Sequence, residues 1–159
     1  MKPALKKWLP LGLFTALIVA ADQITKALVR ARIPAGAEIP VIPKVVCLTW
    51  VENSGAAFSM LSGMRWLFLA LVAVFLVVVG LLIYKKVVTG TCELWCLAAI
   101  IGGALGNAVD RAVRGTVTDM IEPLFIDFAV FNVADSFITC GAIVLVVYVL
   151  FFDKEKAKK

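Results

Sequence analysis

Apolar residues in this chain come in long runs rather than in alternation. Four runs, approximately residues 8–28, 66–84, 94–112 and 132–152, carry ionisable side chains only close to one end. A helix needs roughly 20 mostly apolar residues to cross the hydrocarbon core of a bilayer, so each run predicts a transmembrane helix. The pattern changes after the first run. Ile39-Pro-Val-Ile-Pro-Lys-Val-Val-Cys-Leu-Thr-Trp-Val-Glu-Asn53 sets β-branched and aromatic residues among prolines and stops at Ser54-Gly55, as a strand segment bounded by turn formers does. The expectation is an all-α membrane protein: a four-transmembrane-helix bundle with a small periplasmic β-sheet between spans one and two. Trp50 and its apolar neighbours suit the interfacial zone, where a strand can pair its backbone locally.

Composition narrows the class. Of 159 residues, 62% are hydrophobic and 17% charged, with a mean hydropathy of +1.00, which excludes a soluble domain of this length. Spans and short connections occupy residues 1–159 as a single integral membrane domain. Lys2, Lys6 and Lys7 ahead of an apolar run ending at Ala20-Ala21 also resemble the start of a cleavable signal peptide, but further spans follow instead of a secreted domain. Lysine bias sets the orientation. Lys2, Lys6 and Lys7, then Lys85 and Lys86, then Lys154, Lys156, Lys158 and Lys159 mark cytoplasmic ends. The N and C termini are then cytoplasmic, and residues 29–65 and 113–131 lie outside. The formal charge of +5 is explained by this bias, so no nucleic acid partner is expected. The chain has no histidine, which removes imidazole bases and histidine-containing zinc sites. Cys47, Cys92, Cys96 and Cys140 complete no metal tetrad and are expected to be free thiols; neither metal nor cofactor is expected.

Ionisable groups are costly inside a membrane, so those within the runs are candidates for function. They are Asp22, Lys26, Asp110, Arg111 and Asp135. The orientation above brings all five to the outer level, although the lysine argument used only the inner ends. Asp22 and Lys26 stand at i,i+4 and read as a structural ion pair. Asp110 with Arg111 reads similarly. Asn107 shares a face with that pair, and Asn132 shares one with Asp135. Gly102, Gly103 and Gly106 read as small residues that permit close helix packing. Asp135 and Asp119 differ from the other acids because neither has a basic residue nearby in sequence. Two carboxylates in a dry site share one proton. One can then take a proton from water attacking a carbonyl while the other protonates the developing oxyanion. The amides of Asn53, Asn107 and Asn132 are placed to orient them.

Aspartates alone leave two rivals open. One is a small ion-coupled membrane transporter using Asp22, Asp110 and Asp135 as cation ligands. The other is a serine peptidase using Ser54 or Ser136 with Lys26. The motifs shift the balance. In order, the chain carries Asp22-Gln-Ile-Thr-Lys26, Val51-Glu-Asn53-Ser-Gly55-Ala-Ala57-Phe58-Ser59, Gly106-Asn-Ala-Val-Asp-Arg111, Gly115-Thr-Val117-Thr-Asp119 and Phe131-Asn-Val-Ala-Asp135-Ser136. Over essentially the whole chain this series resembles the lipoprotein signal peptidase (signal peptidase II) family.

The resemblance implies a multi-pass aspartyl endopeptidase of the bacterial inner membrane with its site at the periplasmic face. It implies prolipoprotein substrates, cut before the cysteine that carries a diacylglyceryl group, and inhibition by globomycin-type cyclic peptides. The catalytic aspartates it implies are Asp119 and Asp135. Asn53, Asn107, Asp110, Arg111 and Asn132 match supporting polar residues, and Asp22 with Lys26 matches a pair important for stability and activity. Met120 stands where phenylalanine is common, which predicts an altered pocket shape. Trp50, Phe58 and the sheet are expected to clamp a substrate that arrives laterally through membrane lipid. A monomer is expected, because the polar stripes can face one another within one bundle.

Overall fold

The computed structural model describes residues 3–56 and 60–152, with only the backbone of residues 3–6. Lys2, Phe58 and the lysines from Lys154 onward lie outside the described residues. The chain forms α1 (Pro3–Arg32), β1 (Ile39–Ile42), β2 (Val46–Asn53), α2 (Arg65–Tyr84), α3 (Thr91–Arg114), β3 (Val117–Pro123) and α4 (Val133–Phe151). Within the described residues four helical segments are long and apolar enough to cross a membrane: Lys7–Arg32, Arg65–Tyr84, Thr91–Arg114 and Val133–Phe151.

Local chemistry fixes the helix ends. α3 begins where the Glu93 carboxylate accepts from the Gly90 N–H at 3.1 Å, satisfying a donor that the first turn leaves open. It ends at Gly115, whose φ of 85° is the left-handed conformation that glycine adopts without a Cβ penalty. α4 begins at Asn132, whose side chain accepts from the Asp135 N–H while the Asp135 carboxylate accepts from the Asn132 N–H. That reciprocal cap holds Asp135 at a helix start, where the backbone dipole favours negative charge.

α3 is the central helix and packs against α1, α2 and α4. Its glycines allow this. A Cβ on Gly103 would lie 2.4 Å from the Ala134 carbonyl oxygen, and one on Gly106 would lie 2.6 Å from the Asp22 carboxylate. The small-residue packing expected from Gly102, Gly103 and Gly106 is thus present. α2 is the opposite case: only Val79 is buried, and Leu71, Val74, Val77 and Val78 face outward, as suits a helix whose solvent is lipid.

The sheet departs from expectation. It has three antiparallel strands in the order β1-β2-β3, so it is not confined to the segment between the first two helices. The third strand comes from the connection between α3 and α4, and Asp119 lies on it rather than in a loop. Sequence could not show this, because β3 is buried from Val117 to Met120 on both faces and so lacks the alternation that marks a half-exposed strand. Val51 pairs with Asp119, Glu52 with Thr118 and Asn53 with Val117. Met120 packs with Val29 of α1 and with Ile33 just past its end, and Leu48, Trp50 and Ile121 cover this cluster. The sheet is thereby fastened to the end of α1. The four cysteines are free thiols.

Candidate active site

The site lies at the end of the bundle where α1 and α3 finish and α4 begins. Its foundation is Lys26, which is fully buried. Its Nζ lies 2.8 Å from the Asp22 carboxylate and 3.2 Å from that of Asp110, and it donates to the Asn107 side-chain oxygen at 2.8 Å. Three acceptors match the three protons of an ammonium. Asp22 also accepts from the Ala134 N–H at 3.1 Å, tying α1 to the start of α4. Asp110 accepts from the Thr118 N–H at 3.2 Å, tying α3 to β3. The Asp22–Lys26 pair therefore forms as expected, but Asp110 does not pair with Arg111. Adjacent residues on a helix point about a third of a turn apart, so Asp110 faces Lys26 and Arg111 faces elsewhere. Arg111 donates to the Gly55 carbonyl oxygen at 2.8 Å and stacks 4.5 Å above the Phe68 ring.

Because Lys26 only donates, it fixes the Asn107 oxygen toward itself and turns the Asn107 amide N–H₂ outward. That N–H₂ donates to Asp135 Oδ1 at 2.8 Å. The same logic orients Asn132. Its oxygen accepts from the Asp135 backbone N–H, so its N–H₂ is left to donate to Asp119 Oδ1 at 2.7 Å and to the Asn107 oxygen at 3.1 Å. The Asn53 N–H₂ donates to Asp119 Oδ2 at 3.0 Å. Both orienting asparagines are thus set by donors whose polarity is unambiguous.

Asp119 and Asp135 line one cavity of about 660 Å³ with Asn53, Asn107 and Arg111. Its remaining wall is largely apolar, with Phe68, Phe128 and Phe131. Neither aspartate forms an ion pair among the described residues. Burial pushes the Asp119 carboxyl up to about 6 despite the opposing Asn53 hydrogen bond, and the nearby Asp135 charge adds to the rise. No group of acids and cysteines among the described residues is arranged to hold a metal ion.

All nine sequence candidates meet in this network or its cavity, but not all in the expected way. Met120 and Trp50 belong to the α1 side of the sheet, because alternate residues of a strand face opposite ways and Asp119 faces the cavity. Met120 therefore anchors the sheet instead of shaping the pocket, and Trp50 lies away from the cavity it was expected to roof. Sequence reasoning missed Gln23, whose amide reaches Asp22, Asp110 and the Gly106 carbonyl. It also missed Arg30, 3.9 Å from Asp110. Arg30 falls one turn beyond Lys26 on the same helix face, a signal that was present.

Fold and site define a multi-pass membrane protein with two carboxylates in one largely apolar cavity. A family model described as signal peptidase (SPase) II matches residues 14–151. Two relatives from Streptococcus pyogenes, serotypes M6 and M5, both named lipoprotein signal peptidase, are each 42% identical over 82% of this chain and 86% of their own. A solved bacterial membrane enzyme, determined by the in meso method at 2.3 Å resolution, superposes with a TM-score of 0.84 at 30% identity, covering 92% of this chain and 91% of its own. The chain belongs to the signal peptidase II family, and it is a multi-pass bacterial membrane protein.

Proposed function

We propose that the chain is an aspartic endopeptidase that removes the signal peptide of diacylglyceryl-modified prolipoproteins by cutting before the lipidated cysteine, with Asp119 and Asp135 as its catalytic residues. The observation that carries the reading is the pair itself: two carboxylates in one mostly apolar cavity, with no cation among the described residues bonded to either and with amide donors aimed at all four oxygens. Membership of the family and the relatives' name agree with it.

In this reading Asp119, whose affinity for protons is raised, carries the shared proton at the outset and acts as the acid, and Asp135, capped at the start of α4, acts as the base. Water adds to the scissile carbonyl as Asp135 takes its proton and Asp119 protonates the carbonyl oxygen. The C–N bond then breaks as the amine leaves with the proton from Asp135 while a hydroxyl of the tetrahedral diol returns its proton to Asp119, so the carboxylic acid forms, the dyad is restored and no covalent enzyme intermediate is needed. Asn107 and Asn132 hold the carboxylates, and Arg111 borders the cavity. The site stands at the periplasmic face of the inner membrane with both termini cytoplasmic, and a substrate enters laterally from lipid to a monomeric enzyme. Globomycin-type cyclic peptides compete for the cavity.

Two observations weigh against the rivals. The ammonium of Lys26 is spent on Asp22, Asp110 and Asn107, so it is not available to activate Ser54 or Ser136. Asp22 and Asp110 are already neutralised and do not line the cavity, which removes them as cation ligands. The test is cleavage of a lipidated prolipoprotein by purified protein. Asp119→Asn and Asp135→Asn should each lose about 10²–10⁴-fold in turnover, the usual contribution of a positioned acid or base. Near-wild-type turnover in either overturns the assignment.

A further inference from the structure

Strand β3 presents Asp119 to the cavity, and its opposite face carries Thr118, which is fully buried. Three bonds converge on Thr118. Its N–H donates to Asp110 at 3.2 Å, its hydroxyl accepts from the Arg30 guanidinium at 2.8 Å, and that hydroxyl lies 3.1 Å from Glu52 Oε1. Arg30 can only donate, so the Thr118 hydroxyl proton is directed to Glu52. Glu52 is the register partner of Thr118 and precedes Asn53, the residue that donates to Asp119. Its carboxylate also accepts from Thr116, a second bond from β2 to the β3 segment, and from the indole of Trp50 on its own strand at 2.8 Å. These bonds hold Glu52 below the usual carboxylate range although burial opposes them, so it remains an acceptor at neutral pH.

We propose that Thr118 and Glu52 are positioning residues: the Arg30–Thr118–Glu52 chain locks the β2–β3 register and so sets where Asn53 and Asp119 point. The cavity face of this part of the sheet contributes Asn53, Val117 and Asp119, and the chain binds the reverse face to the charged layer of α1 and α3. Without the Thr118 hydroxyl, the N–H bond to Asp110 is the polar tie left at residue 118 among the described residues. Asp119 could then shift relative to Asp135, and a misplacement on the order of 1 Å can cost about 10²-fold in rate. The effect should fall on turnover rather than on substrate capture, since neither Thr118 nor Glu52 lines the cavity.

The inference rests on Asp119 being catalytic, so Asp119→Asn is measured alongside. Thr118→Val, which keeps the shape and removes the hydroxyl, should lower kcat about 10- to 100-fold with KM within about twofold, and Thr118→Ser should recover most of the loss. Glu52→Gln, on the exposed side, should lower kcat in a protein of unchanged thermal stability, and the double variant should be no slower than Thr118→Val alone, because both act through one chain. A Thr118→Val enzyme with normal kcat, a serine variant as slow as the valine one, or additive losses in the double variant overturns the positioning role. If Asp119→Asn retains turnover, the catalytic assignment and this inference fall together. If Asp119→Asn is inactive and Thr118→Val is normal, only this inference falls.

Discussion

Two acidic pairs share one end of the bundle, and they are built oppositely. Asp22 and Asp110 are fastened to a buried ammonium and to the backbone N–H groups of Ala134 and Thr118. Among the described residues Asp119 and Asp135 meet neutral donors, three asparagine side-chain bonds and one backbone N–H. Lys26 and, at 3.9 Å from Asp110, Arg30 match the charge of the first pair, which faces packed protein; among the described residues the second has no bonded cation, and it faces a cavity. A matched buried pair is rigid and inert, whereas an unmatched one holds a proton in contention and can move it. The two are coupled through Asn107, which accepts from Lys26 on one side and donates to Asp135 on the other. The scaffold thus sets the polarity of the reacting pair without neutralising it.

The sharpest break of this contrast is to exchange the effects. Asparagine at 119 or 135 should abolish cleavage while leaving the fold intact, whereas Lys26→Met should strike the fold first. Removing the ammonium leaves the buried Asp22 with no ion-pair partner among the described residues and Asp110 with the Arg30 guanidinium at 3.9 Å, a change that costs on the order of 3–5 kcal/mol. Thermal unfolding in detergent reads it as a marked drop for Lys26→Met with no comparable drop for Asp119→Asn. If both unfold alike, the division between scaffold and reacting pair fails.

Gly103→Ala should come next. Its added methyl would meet the Ala134 carbonyl at 2.4 Å, and overpacking of this kind costs about 1–3 kcal/mol. Because Ala134 precedes Asp135, cleavage by the folded fraction should fall as well. Gly80→Ala, where a Cβ meets nothing within 4 Å, is the control and should match wild type in both measurements.

A subtler effect concerns pH. Asp119 is proton-bound below about 6 and charged above it, so kcat/KM should fall as pH rises through that value in the free enzyme. The Asn53 bond favours the charged form and lowers this midpoint. Asn53→Ala should therefore move the alkaline limb upward, and a downward shift would contradict the role given to that bond. The smallest effect is expected from Ser136→Ala. The Ser136 hydroxyl donates to the Asn132 carbonyl oxygen at 3.1 Å, and losing it should leave most of the turnover; a collapse equal to that of the aspartate variants would restore the serine reading.

The contrast between the pairs was partly legible in the chain. Charges inside apolar runs are conspicuous, so Asp22, Lys26, Asp110 and Asp135 were evident together, and the lack of a nearby base singled out Asp119 and Asp135. Nearness in sequence suggests Arg111 as the partner of Asp110, but residues i and i+1 on a helix do not face one another, and the partner in space is Lys26. Strand β3 was hidden for a different reason. Its identity depends on pairing with β2, more than sixty residues away, and its two-sided burial erased the local period. The polar contacts of Gln23 and Thr118 depend on that same long-range assembly, and nothing in their immediate neighbours announces them.

The claim beneath all of this is that Asp119 titrates far above an ordinary aspartate because it is buried beside a second carboxylate. Carbon-13 NMR of carboxyl-labelled aspartates in the detergent-solubilised enzyme measures it directly. One resonance should titrate with a midpoint near 6 and vanish in Asp119→Asn. If no aspartate resonance that depends on residue 119 titrates above pH 5, the account is wrong.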